Sequence, residues 1–368
     1  MLTRKFQRSA LSLALSLTLL APASAFALTT AQAYSASGDP LLTIEFYDEG
    51  DVFTPPAPIE SDNVKEPKTS EGTLSADQKK SVGMAIDYAL GYVTQGRTYD
   101  SKGRMAVYVV HNGNASSAYI KGAENADGTY NTPIFDLVTQ DQLTRGVQVI
   151  FASDTEPVFT QPTPYFYPIV EKAGTQYASV IVHELGHSLG IVSEVDGGTT
   201  EKTLSEDLIR FDENGWTPFA DHLYSCMVWD ETAQKFRPDP SVPGVKATPG
   251  GLITLTPSPY VTDVLSETVT PTPADGGKFL VSAASTSGVY FRGPHVSEVL
   301  NGAFSNSIPV NGYEKHKDLQ KGVTRFYAEL SHLELERGLM GHQRYRNYTM
   351  FLEAELAVLQ DIGYDIDR

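Results

Sequence analysis

The chain has 368 residues, with 28 Lys and Arg against 45 Asp and Glu, for a formal net charge of −17. That balance argues against nucleic acid or an anionic membrane surface as a partner. One cysteine, Cys226, leaves no internal disulfide to form, so the fold must rest on a sizeable hydrophobic core.

Residues 1–27 read as a secretory signal peptide. Arg4, Lys5 and Arg8 open it, an uncharged apolar run from Ala10 to Leu20 follows, and Ala23-Ser24-Ala25 is an A-x-A cleavage site. Losing those three cations takes the net charge from −17 to −20. No later stretch approaches the roughly 18 apolar residues of a membrane span. The expectation is a secreted or cell-surface protein with no stable membrane span. Residues 28–72 are mixed. Leu41 to Tyr47 suits a strand, but Asp48 to Gly72 is rich in Pro, Asp, Glu and Ser. The stretch is expected to be a linker or a short propeptide.

From residue 73 the pattern sharpens. Ser75 and Gln78 form a capping-box pair, and Val82, Ala85, Ile86, Ala89, Leu90 and Val93 recur at helical spacing before Gly96. Met105 to Val110 and Val147 to Phe151 predict strands, with polar, turn-rich sequence between them. A Pro- and Tyr-rich loop, Pro157 to Pro168, then leads to the most informative stretch.

That stretch is Ile181-Val182-His183-Glu184-Leu185-Gly186-His187-Ser188-Leu189-Gly190, an H-E-x-x-H sequence. Helical positions four apart share a face, so His183 and His187 can present two imidazole nitrogens to one zinc ion. Glu184 beside them suits a general base that takes a proton from an attacking water. Two histidines at this spacing can also be mere packing residues. Here Tyr177, Val180, Ile181, Val182, Leu185 and Leu189 make the helix apolar nearly all round. Burying two imidazoles and a carboxylate without a metal or partners is costly. Gly190 then suits a left-handed exit from the helix.

Residues 195–325 lose this regularity. Pro238 to Gly277 is loaded with Pro, Thr and Gly, short β-prone runs appear at 252–255, 279–281 and 289–291, and Gly293 to Leu300 suits a short helix. The region reads as a large, irregular, β-rich insertion without internal repeats. Residues 326–368 close the chain, with Leu352, Leu356, Ala357 and Leu359 on one helical face and Gly363 as its stop.

The H-E-x-x-H-x-x-G opening resembles the metzincin clan of zinc endopeptidases. The clan's usual third ligand falls three residues after that glycine, where this chain has Ser193. By residue type alone the missing ligand could be any of His111, His222, His295, His316, His332 and His342, or a carboxylate such as Glu353 or Glu355. The order His332, Met340, then a C-terminal amphipathic helix is similar to leishmanolysin-type metzincins, where a long insertion separates the zinc helix from the third histidine. The closing segment also looks like that of secreted bacterial metallopeptidases with the same helix, and like the ends of peptidase-like autotransporter passenger regions. The resemblance implies His332 as third ligand, Met340 as the residue of the Met-turn beneath the metal, and His342 as a candidate stabiliser of the tetrahedral intermediate.

The expected fold is α+β: a metzincin- or zincin-like catalytic domain made of residues 73–194 and 326–368, interrupted by the 195–325 insertion. The expected activity is zinc-dependent hydrolysis of a protein or peptide substrate. Two other readings stay open at this point: a surface binding or adhesion module on a degenerate peptidase scaffold, and a zinc amidohydrolase acting on a non-peptide amide. Acidic loops leave a structural calcium open, although no EF-hand loop is present.

Overall fold

The computed structural model describes residues 28–54, 67–110, 116–119, 125–142 except 127, 148–153, 175–193, 208–210, 217–225, 227–230, 235–238, 252–254, 279–281, 289–310, 313–318, 323–328, 330–341 except 334, 336 and 337, and 351–367. Its first half holds β1 (Thr29–Tyr34), β2 (Pro40–Phe46), β3 (Val52–Phe53), β4 (Lys68–Thr69), α1 (Ala76–Val93), β5 (Gly103–Val110), β6 (Ser116–Tyr119), α2 (Pro133–Gln140), β7 (Gln148–Ser153) and α3 (Thr175–Ser188). The second half holds β8 (Leu208–Arg210), β9 (Leu223–Ser225), β10 (Met227–Asp230), β11 (Lys235–Pro238), β12 (Leu252–Thr254), β13 (Phe279–Val281), β14 (Val289–Phe291), α4 (Pro294–Leu300), β15 (Ile308–Pro309), β16 (Tyr313–Asp318), β17 (Val323–Ala328) and α5 (Glu353–Ile362).

The main sheet runs β1-β2-β5-β7-β6. β2, β5 and β7 are mutually parallel, and the two edge strands β1 and β6 run antiparallel to their neighbours. β5 is buried from Met105 to Val109 without interruption, as expected for a parallel strand covered on both faces. Met105, Val107 and Val109 face the main core with α1 and α3, while Ala106 and Tyr108 join Tyr47 and Phe53 in a smaller cluster on the opposite face. Helices and a small mixed sheet thus make an α+β fold.

α1 starts where the sequence predicts. The Ser75 hydroxyl accepts from the Gln78 amide, and the Gln78 side chain accepts from the Ser75 amide. Its apolar stripe, Val82 to Val93, lies in the core beside Ile181, Val182, Leu185 and Leu189 of α3.

Two expectations need correction. Residues 28–72 are no linker over their described part, because β1 and β2 lie within the main sheet and carry Leu41, Leu42, Ile44 and Phe46 into its core. Cleavage after residue 72 would detach two of the sheet's five strands. The polar stretch between β5 and β7 holds β6 and α2. α2 is announced by Thr132, whose hydroxyl accepts from the Phe135 amide, and by Pro133 in its first turn.

The 195–325 region does not lie apart. β9, β14 and β15 form one small sheet, and Phe219, Leu223, Phe291, Val296, Ile308 and Val310 belong to the main core. α4 is held against α5 by Asp361, whose carboxylate accepts from the amides of His295 (2.9 Å) and Val296 (3.0 Å). The closing helix begins at Glu353, with Leu352 as its N-cap. Residues 1–27, Cys226, His111 and His342 lie outside the described residues.

Candidate metal centre

α3 sets His183 and His187 one above the other on its buried face, with Nε2 atoms 3.2 Å apart. The helix ends in a Schellman motif. The Ile191 amide donates to the Gly186 carbonyl and the Gly190 amide to the His187 carbonyl, with Gly190 at φ +109°. This turn brings the Ile191 carbonyl back to the His187 ring, 2.7 Å from Nδ1.

The chain after the helix then meets the segment before the closing helix. The Ser193 amide donates to the Ser331 hydroxyl (2.9 Å), which in turn donates to the Ser193 carbonyl (3.0 Å). Ser193 thus stands where the resemblance places a third ligand, and instead it anchors the residue preceding His332. Leu333, on the other side of His332, pairs with Val310 and donates its amide to the Met340 carbonyl. Pinned on both flanks, His332 sets its Nε2 3.3 Å from that of His183.

The three rings therefore form one cluster, with centroids 4.7, 5.1 and 4.8 Å apart. His183 is 1% exposed, Glu184 3%, and His187 and His332 9% each. Among the described residues, these three histidines form the group able to hold a metal ion, their ligand atoms all lying within 4.8 Å of one another.

The hydrogen bonds fix the tautomers. The Nδ1 atoms of His183 and His187 each face a backbone carbonyl, Leu339 at 2.6 Å and Ile191 at 2.7 Å. A carbonyl only accepts, so each Nδ1 carries the proton and each Nε2 offers a lone pair. Two unprotonated nitrogens 3.2 Å apart repel rather than bond. A zinc ion takes nitrogen ligands at about 2.0–2.1 Å in tetrahedral array, which separates them by about 3.3 Å. The observed 3.2 and 3.3 Å fit that requirement.

Met340 is fully buried against the H-E-x-x-H helix. A Cβ on Gly186 would collide with its Sδ, and Phe351 Cε1 would lie 3.2 Å away. Behind the turn stands Glu355, wholly buried, accepting from the amides of Met340 (2.6 Å) and Leu352 (2.7 Å). Burial lifts its pKa from 4.5 to about 7, against the opposing pull of those amides.

The other described histidines stand outside this group. His222 donates Nδ1 to the Arg292 carbonyl (2.9 Å) and stacks on Phe291, and the backbone amide of His295 donates to Asp361 at the start of α4. Glu355 supports the Met340 turn, and Glu353 is outside the histidine group. Sequence reasoning missed the two orienting carbonyls, the Ser193–Ser331 clasp and the second bond of Glu355. Only Glu355 carried a signal, an acidic residue at the third position of a helix.

No family model, curated protein or solved structure matches the chain.

Proposed function

We propose that this chain is a secreted zinc-dependent endopeptidase of metzincin type. The observation that supports it most is the convergence of three imidazole rings, two of them held with Nε2 unprotonated, beside the buried Glu184 of an H-E-x-x-H helix. His183, His187 and His332 would hold the ion. Three neutral imidazoles suit zinc, which when bound acts as a Lewis acid, bringing the pKa of water to about 7 and polarising a carbonyl.

Glu184 adjoins the first ligand on the same helix. In this reading it removes the proton from the attacking water, carries it, and delivers it to the leaving amine. Its own burial keeps bulk water from competing for that proton. The Leu339 and Ile191 carbonyls hold two rings in the ligating tautomer, and Met340 packs against Gly186 of the same helix. A peptide substrate is compatible with β6, one edge strand of the sheet and a neighbour of α3. An extended peptide can pair there as an added strand, which aligns its backbone and leaves side-chain choice to the surrounding loops.

Ser193 no longer favours a degenerate scaffold, because its backbone clasps Ser331 and so helps to seat His332. The test is Glu184→Gln. It should retain zinc and lose peptide hydrolysis by about 10²–10⁴-fold, the scale of a general base. Full peptidase activity in that variant would overturn the assignment of Glu184.

A further inference from the structure

Two of the three ligands are tied to the same two residues. The Leu339 carbonyl takes the Nδ1 proton of His183, and the Met340 carbonyl takes the amide proton of Leu333, next to His332. The turn carrying both carbonyls is held in turn by one side chain. Glu355 Oε1 accepts from the Met340 amide at 2.6 Å. Its other oxygen accepts from Leu352, the residue that starts α5, at 2.7 Å.

Capping α5 needs one oxygen and no deep burial. Here the second oxygen leaves the helix and reaches 15 residues back along the chain, within a site that admits no solvent. Leu335 and Gly338 close around it, so a Cβ on Gly338 would lie 2.9 Å from Oε1. The buried carboxylate therefore serves the turn as well as the helix.

We infer that Glu355 is a positioning residue of the metal centre: its carboxylate holds the Met340 amide and thereby sets the turn whose carbonyls, of Leu339 and Met340, orient His183 and seat His332. It touches neither metal nor substrate and acts through the turn. This role rests on the zinc reading above.

The test is zinc affinity, measured by competition with a chromogenic chelator on the full chain. Glu355→Gln keeps the size of the side chain but turns an amide N–H₂ toward the backbone donors. It should weaken zinc by about 10–100-fold, the usual cost of losing an orienting partner behind a ligand. In the metal-free protein, the His183 Nδ1 proton resonance should shift or broaden. Leu359→Ala, which loosens the buried face of the same helix and leaves the carboxylate in place, should keep wild-type affinity. Equal losses in both variants, or a folded Glu355→Gln with wild-type affinity and an unchanged His183 signal, would overturn the proposal.

If Glu355→Gln does not fold, Leu352→Pro decides in its place. Leu352 already has φ −66°, the value proline requires, so this change removes the amide that steadies Oε2. Weakened zinc there supports the role, and unchanged affinity refutes it. A wild type that takes up no zinc sinks the functional reading and this role with it. Wild-type binding with an indifferent Glu355→Gln sinks this role alone.

Discussion

His187 donates its Nδ1 proton to the Ile191 carbonyl, and that carbonyl is in reach because Gly190 turns the chain at φ +109°. A Cβ at Gly190 would be strained by that backbone and would press on Ile362 (3.2 Å) and Phe135 (3.3 Å). Left-handed backbone costs an ordinary residue about 1–2 kcal/mol, so Gly190→Ala should lower the melting temperature and also weaken metal binding. A variant as stable as wild type would remove Gly190 from this account. Gly186 acts differently, through the space it leaves for Met340. Gly186→Ala should cost about 1–3 kcal/mol, as overpacking does, read as a lower midpoint in chemical denaturation. Met340→Ala in the same chain should relieve part of that cost if the two residues truly collide.

The turn at Leu339 and Met340, with α5 behind it, bonds the ring of His183 and the residue after His332. Glu355 gives it a characteristic dependence on pH. Its pKa is raised from 4.5 to about 7, chiefly by burial, so the folded protein holds this proton more tightly than the unfolded chain does. The resulting stability is fully present below about 4.5 and is lost as pH rises through about 7. Glu355→Gln does not titrate there. Its melting temperature relative to wild type should therefore rise between about pH 5 and about pH 8. A constant difference would mean that Glu355 titrates normally. The helix α1 was legible in the sequence because cap, apolar spacing and stop agreed, and α3 because its apolar residues and Gly190 did. The pair His183 and His187 was legible for the same local reason. β6 and α2 were not, since a short strand and an eight-residue helix in polar surroundings give little periodicity to read. The Ser193–Ser331 clasp spans 138 residues, and no local pattern encodes such a contact. His332 was reached by resemblance, not by spacing.

Across the whole molecule, the sheet and the metal centre share one core. Residues once expected to be dispensable supply β1 and β2, and the side chains of Leu41, Leu42, Ile44 and Phe46 are at most 2% exposed. At about 1.5–3 kcal/mol each, burying these four contributes on the order of 6–12 kcal/mol. That rivals the 5–15 kcal/mol by which a domain is typically stable. A chain begun at residue 73 should therefore fail to fold, giving no cooperative melt and rapid proteolysis. A cooperative melt from that chain would return residues 28–72 to the status of a propeptide. The central claim also belongs to this scale, because α3, at the end of the chain's first half, must meet His332, far along the second half, to close the site. Metal analysis of the purified protein tests it most directly. Wild type should carry one zinc per chain, His222→Ala and His295→Ala should keep it, and His332→Ala should lose it while still folding. A folded His332→Ala that retains stoichiometric zinc, or a wild type that binds none, would contradict the account.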